Sequence, residues 1–171
     1  MTEQPIGSIE RQGEHYTLVL ERRYPVPIES VWRALVEPEK LKQWLGDVAI
    51  EGRVGGSYEI DFNGEDHAGG AILEYDPPRV LEFEWGEMQE ASIVRFDLRK
   101  TDDGTHLRLT HSLQSERMAL GTGPGWHAHL DLFEAQLLGE DGEWQEAYAA
   151  AVPRYEGSIK GERSPNVGGD V

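Results

Sequence analysis

The sequence predicts an α+β domain in which a curved antiparallel β-sheet wraps around a C-terminal helix. Between Asp47 and His111, apolar residues recur with period two in successive short runs separated by tight-turn signals. Further on, Trp126, Leu130, Phe133 and Leu137 recur at steps of four, three and four, which places them on one helical stripe. Each strand has one apolar and one charged face, so one side of the sheet is buried and the helix is the element available to cover it.

The elements follow in order. Residues 1–14 are polar and aperiodic and are expected to form a loosely held arm. His15 to Tyr24 alternates, with Tyr16, Leu18 and Leu20 on one face, and reads as a strand. Pro25 and Pro27 end it, and Pro27 suits the first turn of a helix, where its missing N–H would have no partner. Ile28, Val31 and Leu35 then recur at helical spacing up to Pro38, which opens a second short helix carrying Leu41, Trp44 and Leu45.

About six strands come next, from Asp47 onward. Tyr58, Ile60 and Phe62 alternate with charged residues as far as the Asn63-Gly64 turn, and a run from about His67 to Tyr75 ends at Asp76-Pro77-Pro78. Leu81, Phe83 and Trp85 alternate with Glu82 and Glu84, and Val94, Phe96 and Leu98 with Arg95 and Asp97. Asp102-Asp103-Gly104 turns the chain into Leu107, Leu109 and His111. Strands joined by such short turns must be antiparallel neighbours. The long helix is expected from Pro124, with Leu113–Leu120 before it as a candidate lid and Gly121, Gly123 and Gly125 as its flexible approach. Gly139 to Gly142 breaks it, Glu143 to Val152 forms a further helix, and residues 153–171 read as a disordered tail. The folded domain is therefore expected over residues 15–152.

A chain of 171 residues suits one domain with a substantial core. The absence of cysteine removes disulfides, thiolate metal sites and a cysteine nucleophile. Met1 to Glu14 lacks a basic start followed by an apolar run, and no apolar stretch approaches the roughly 20 residues that span a bilayer, so a cytoplasmic protein is expected. The formal charge is −16, and protonating all six histidines would leave −10. Such a surface repels phosphate backbones and anionic lipid, which argues against nucleic-acid and membrane partners.

Several motifs resemble the activator of heat-shock protein 90 ATPase-like family. They are Arg23-Tyr24-Pro25-Val26-Pro27-Ile28-Glu29-Ser30-Val31-Trp32, then Glu37-Pro38-Glu39-Lys40-Leu41 with Trp44, and Gly55-Gly56-Ser57-Tyr58. Gly69-Gly70 before Ile72-Leu73, Asp76-Pro77-Pro78-Arg79 before Leu81-Glu82-Phe83-Glu84-Trp85, Thr110-His111-Ser112 and Gly125-Trp126 with Leu130-Asp131 follow in the expected order. The resemblance implies the START-like helix-grip fold, with about seven strands around a long helix, two short helices after the first strand, and a cavity between sheet and helix. The wider superfamily includes binders of lipids, hormones and polyketides as well as cyclases and hydrolases. The co-chaperone that names the family carries a separate N-terminal domain, whereas only about 14 residues precede the first strand here, so the family name is not taken as the function.

The expected ligand is a small apolar or aromatic molecule, bound without catalysis in that cavity. The inward stripes supply its lining: Tyr58, Ile60 and Phe62; Leu81, Phe83 and Trp85; Phe96; Trp126, Leu130 and Phe133. His111 extends the Leu107–Leu109 stripe and is expected near the cavity mouth, where it can bond a ligand or be satisfied by backbone or Ser112. Tyr16 and Tyr58 offer hydroxyls. One alternative is a cyclase- or hydrolase-type enzyme using His111 with a tyrosine; another is a protein-interaction module, chaperone or stress-related, docking through the acidic face. No metal or cofactor is expected: His127 and His129 point roughly 200° apart on a helix, and His127 with Asp131 reads as a solvated pair. A monomer or homodimer is expected.

Overall fold

The computed structural model describes residues 4–87 and 90–167, without the side chains of residues 87, 90, 91 and 157–167. The chain runs β1 (Ser8–Gln12), β2 (His15–Tyr24), α1 (Ile28–Val36), α2 (Pro38–Leu41), β3 (Asp47–Ile50), β4 (Ser57–Asp61), β5 (His67–Asp76), β6 (Val80–Glu87), β7 (Glu90–Thr101), β8 (Gly104–Leu113), α3 (Glu116–Leu138) and α4 (Trp144–Val167). All the strands join one antiparallel sheet in the order β1-β2-β8-β7-β6-β5-β4-β3. β1 pairs with β2, β3 to β8 pair in sequence order, and β2 closes onto β8 at the far end of the chain. This is the helix-grip arrangement, with eight strands rather than about seven.

Period-two alternation is realised as burial. In β8, Leu107, Leu109, His111 and Leu113 point inward and the residues between them lie in the outer face. Leu20, Phe83, Phe96, Leu109, Leu130 and Phe133 are all fully buried, so the inner face of the sheet meets one stripe of α3 in a single core. A bulge at Leu73 shifts the β5–β6 register between Ile72 and Glu74 and adds the local twist that bends the sheet around the helix. At Gly69 (φ 125°) a Cβ would lie 2.0 Å from the Tyr58 carbonyl oxygen, so β4 and β5 approach there as only glycine allows.

Three expectations are corrected. The arm contains β1, joined to β2 by a two-residue loop opening on Gly13 (φ 66°). It is an edge strand with four of its five residues exposed, so it carries no apolar alternation. The long helix starts at Glu116, eight residues before Pro124, because the Ser115 hydroxyl caps it by accepting from the Met118 N–H at 3.1 Å. The segment proposed as a lid is thus the exit of β8 and the first turns of α3. Finally, α4 continues through Pro153 to Val167 where a tail was expected. Docking holds it: Ala151 and Tyr155 are buried against α3, and Gly123 leaves the gap that Tyr155 fills. Residues 1–3 of the arm and 168–171 of the tail lie outside the described residues.

Candidate functional site

The interior beneath the sheet is occupied by side chains. Tyr58, Ile60, Leu81, Phe83 and Trp85 are buried, as are Phe96, His111, Trp126, Leu130 and Phe133. Tyr58 stacks on Phe83 with ring centroids 4.2 Å apart, and Trp126 lies 5.1 Å from Trp85 and 6.0 Å from Phe96. Trp44 enters from the end of α2, 4.7 Å from Phe133, and donates its indole N–H to the Ala34 carbonyl at 2.8 Å. The Tyr58 hydroxyl, expected to serve a ligand, instead donates to the Leu35 carbonyl at 2.9 Å and satisfies the end of α1. Tyr16 is partly buried on β2, with Arg11 5.8 Å above its ring. Of the eleven expected lining residues, Phe62 is the one that lines the rim cleft described below.

His111 lies deep in this core, at 1% exposure, and its partners fix its protonation. The Trp126 indole can only donate, and it does so to His111 Nδ1 at 2.9 Å. The neutral ring therefore carries its hydrogen on Nε2, which donates to the Ser92 hydroxyl at 2.7 Å; Ser92 in turn donates to the Trp85 carbonyl at 3.0 Å. A serine 2.7 Å from a histidine has the spacing of a nucleophile and its base, yet here every hydrogen points the wrong way. A base needs a bare Nε2 facing the hydroxyl. Burial also pushes the imidazole pKa down to about 4, so the chain stays neutral. The partner is Ser92 on β7 rather than the neighbouring Ser112.

His127 and His129 diverge from α3, as their spacing requires. His127 faces β2 and α4 and is buried rather than solvated. Arg22 Nη2 approaches its Nδ1 at 3.2 Å, the Tyr155 hydroxyl lies 3.1 Å from the same nitrogen, and Arg154 Nη1 lies 3.1 Å from Nε2, with Asp131 farther off at 3.8 Å. Burial and the two guanidinium groups push its pKa down to about 4. Cations on both ring edges oppose a metal at this position.

His129 faces the other way, into a cleft of about 820 Å³ at the open rim of the grip. The walls come from the α2–β3 loop (Gln43 to Gly46), the β4–β5 turn (Phe62, Asn63, Asp66), α3 (His129, Leu132) and the start of α4 (Gly142, Trp144, Gln145). The rings form a ladder: Phe62 lies 6.2 Å from His129, His129 lies 4.2 Å from Trp144, and Trp144 stacks on Tyr148 at 5.4 Å. Trp144 and Tyr148 are 38% and 40% exposed, so both rings still meet solvent beyond the ladder contacts. His129 Nδ1 donates to the Trp44 carbonyl at 2.9 Å, and burial pushes its pKa down to about 4 against the opposing pull of that bond. The cleft escaped sequence reasoning because its residues come from four segments far apart in the chain. The available signal was an aromatic residue, Trp144, directly after the Gly139–Gly142 break.

Comparison with known proteins agrees with this fold. Residues 25–137 match the family model described as Activator of Hsp90 ATPase homolog 1-like protein. The crystal structure of CalU16 from Micromonospora echinospora is similar at 28% identity, covering 87% of this chain and 96% of that one, with a TM-score of 0.71. Protein MLL2253 from Mesorhizobium loti is similar at 29% identity over 74% of this chain and 99% of that one, with a TM-score of 0.67. DynU16, from the dynemicin biosynthetic locus, shares the fold at 21% identity and a TM-score of 0.67, covering 71% of this chain and 46% of that one. No protein of curated function matches the sequence. Among the described residues, no helix is long and apolar enough to cross a membrane.

Proposed function

The chain belongs to the Activator of Hsp90 ATPase homolog 1-like family, and from that premise we propose that it binds a small aromatic molecule, without catalysis, in the rim cleft. Family members bind small molecules, which supports the class of ligand. The observation that carries the reading is the ring ladder of Phe62, His129, Trp144 and Tyr148, exposed at its Trp144 and Tyr148 end, beside a cleft of about 820 Å³. That volume lies within the few hundred to about 1,000 Å³ of small-molecule sites. Leaving Trp144 open to water forgoes burial that an aromatic ligand stacked on it would supply. The interior beneath the sheet is tiled with rings in contact, so the site is assigned to the rim rather than to a space enclosed by the helix.

The test is titration of the ¹⁵N-labelled chain with naphthalene and with flavone. Amide shifts should concentrate at Phe62, His129 and Trp144, and Trp144→Ala should weaken binding roughly tenfold or more, as expected for loss of one stacking platform. Absence of binding by either compound, or shifts centred on Phe83 and Phe96, would overturn the assignment.

A further inference from the structure

We infer that His129 sets the specificity of the rim cleft, its Nε2 accepting a hydrogen bond from the O–H or N–H of an aromatic ligand stacked on Trp144. The inference rests on the cleft being a binding site and adds the polar group that its preferred ligand carries.

The Trp44 carbonyl can only accept, so the 2.9 Å contact with Nδ1 requires the hydrogen there. A neutral imidazole then has its lone pair on Nε2. Among the described residues no hydrogen bond reaches Nε2, and it is absent from the buried polar atoms that lack a partner, so the cleft is what it opens to. Burial keeps the ring neutral at pH 7 and the lone pair available.

The acceptor is also held still. The Trp44 bond fixes one edge of the ring while Trp126 packs 5.8 Å away and Trp144 4.2 Å away. A ligand would meet a preorganised group and lose little freedom in aligning with it. Several neighbouring polar side chains are already engaged, while Gln145 also lines the cleft. Asn63 donates to Asp66 at 3.2 Å and accepts from the Glu65 and Asp66 N–H groups at 2.9 and 2.8 Å, and Lys42 turns towards Asp47 at 3.9 Å. The Asp66 carboxylate on the rim disfavours an anionic ligand. The geometry thus selects a neutral, flat, apolar body with one donor on its edge, such as a phenol or an N–H heteroaromatic.

The experiment compares 2-naphthol with 2-methoxynaphthalene, which keeps the ring system and removes the donor. Affinities are measured by calorimetry on the full chain and on His129→Phe, which has no acceptor. The wild-type chain should prefer the naphthol by roughly tenfold or more, and the ratio should fall to about one in the variant. In the wild-type chain alone, the His129 Nε2 ¹⁵N resonance should move upfield with naphthol and stay in place with the ether. Equal affinities in the wild-type chain, a preference that survives in His129→Phe, or an unmoved Nε2 resonance at saturating naphthol would each overturn the inference while leaving the cleft a binding site. Binding of neither compound would overturn the cleft reading and this inference together.

Discussion

At the scale of the residue, histidine is where this protein's chemistry was most open from sequence and is most constrained in the structure. The alternation through Leu107 and Leu109 correctly turns His111 inward. Periodicity is blind to partners, however, and the partners decide what a histidine does. Trp126 donates to Nδ1, Nε2 donates to Ser92, and Ser92 donates to the Trp85 carbonyl, so the ring is a neutral link between β8, β7 and α3. Removing the first donor should leave a buried nitrogen without a partner. Trp126→Phe is therefore expected to cost about 1–3 kcal/mol from the hydrogen bond, added to the packing lost. Denaturant unfolding measures the cost, and ¹⁵N shifts of His111 should change from a single Nε2–H tautomer to a mixture.

At the scale of the element, strands were legible because exposure on one face writes itself into every second residue. The stripe of Trp126, Leu130 and Phe133 was legible for the same reason at helical spacing. What failed was any element held by something other than an apolar face. β1 is an exposed edge strand, and α4 docks through Tyr155 beside His127 beyond the point where a tail was expected. The glycines of α3 show the difference between local and tertiary causes. A Cβ at Gly123 would lie 2.6 Å from the Tyr155 ring, whereas nothing lies within 4 Å of one at Gly121 or Gly125. Gly121→Ala and Gly125→Ala should therefore gain up to about 1 kcal/mol of helix propensity. Gly123→Ala should lose about 1–3 kcal/mol by displacing Tyr155, despite the same local gain. Thermal unfolding of the three variants separates the effects, and equal stabilisation by all three would show that α4 does not dock there.

At the scale of the whole molecule, charge and burial make opposite demands as the pH falls. The formal charge of −16 implies self-repulsion that acid relieves, since protonated carboxylates carry none, and on that ground alone stability should rise below neutrality. The buried histidines oppose this. His111, His127 and His129 have folded-state pKa values of about 4, below the ordinary value of 6.5, each lowered chiefly by burial. A group whose folded pKa is depressed binds its proton first in the unfolded chain. Its contribution is fully present above pH 6.5 and is lost progressively as pH falls from there towards 4. Each such histidine removes up to about 1.4 kcal/mol per pH unit within that window, so three acting together remove up to about 4. Surface repulsion is spread over exposed groups and screened by salt, so burial should win. Urea unfolding is expected to be nearly flat above pH 7 and to weaken steeply between pH 6.5 and 5. Replacing His129 with Phe should lower that slope by about a third, because one of three proton-linked sites is gone, while 0.5 M salt should leave it in place. Stability that rises from pH 7 to 5 would show that the acidic surface, and not the buried imidazoles, governs how this fold responds to acid.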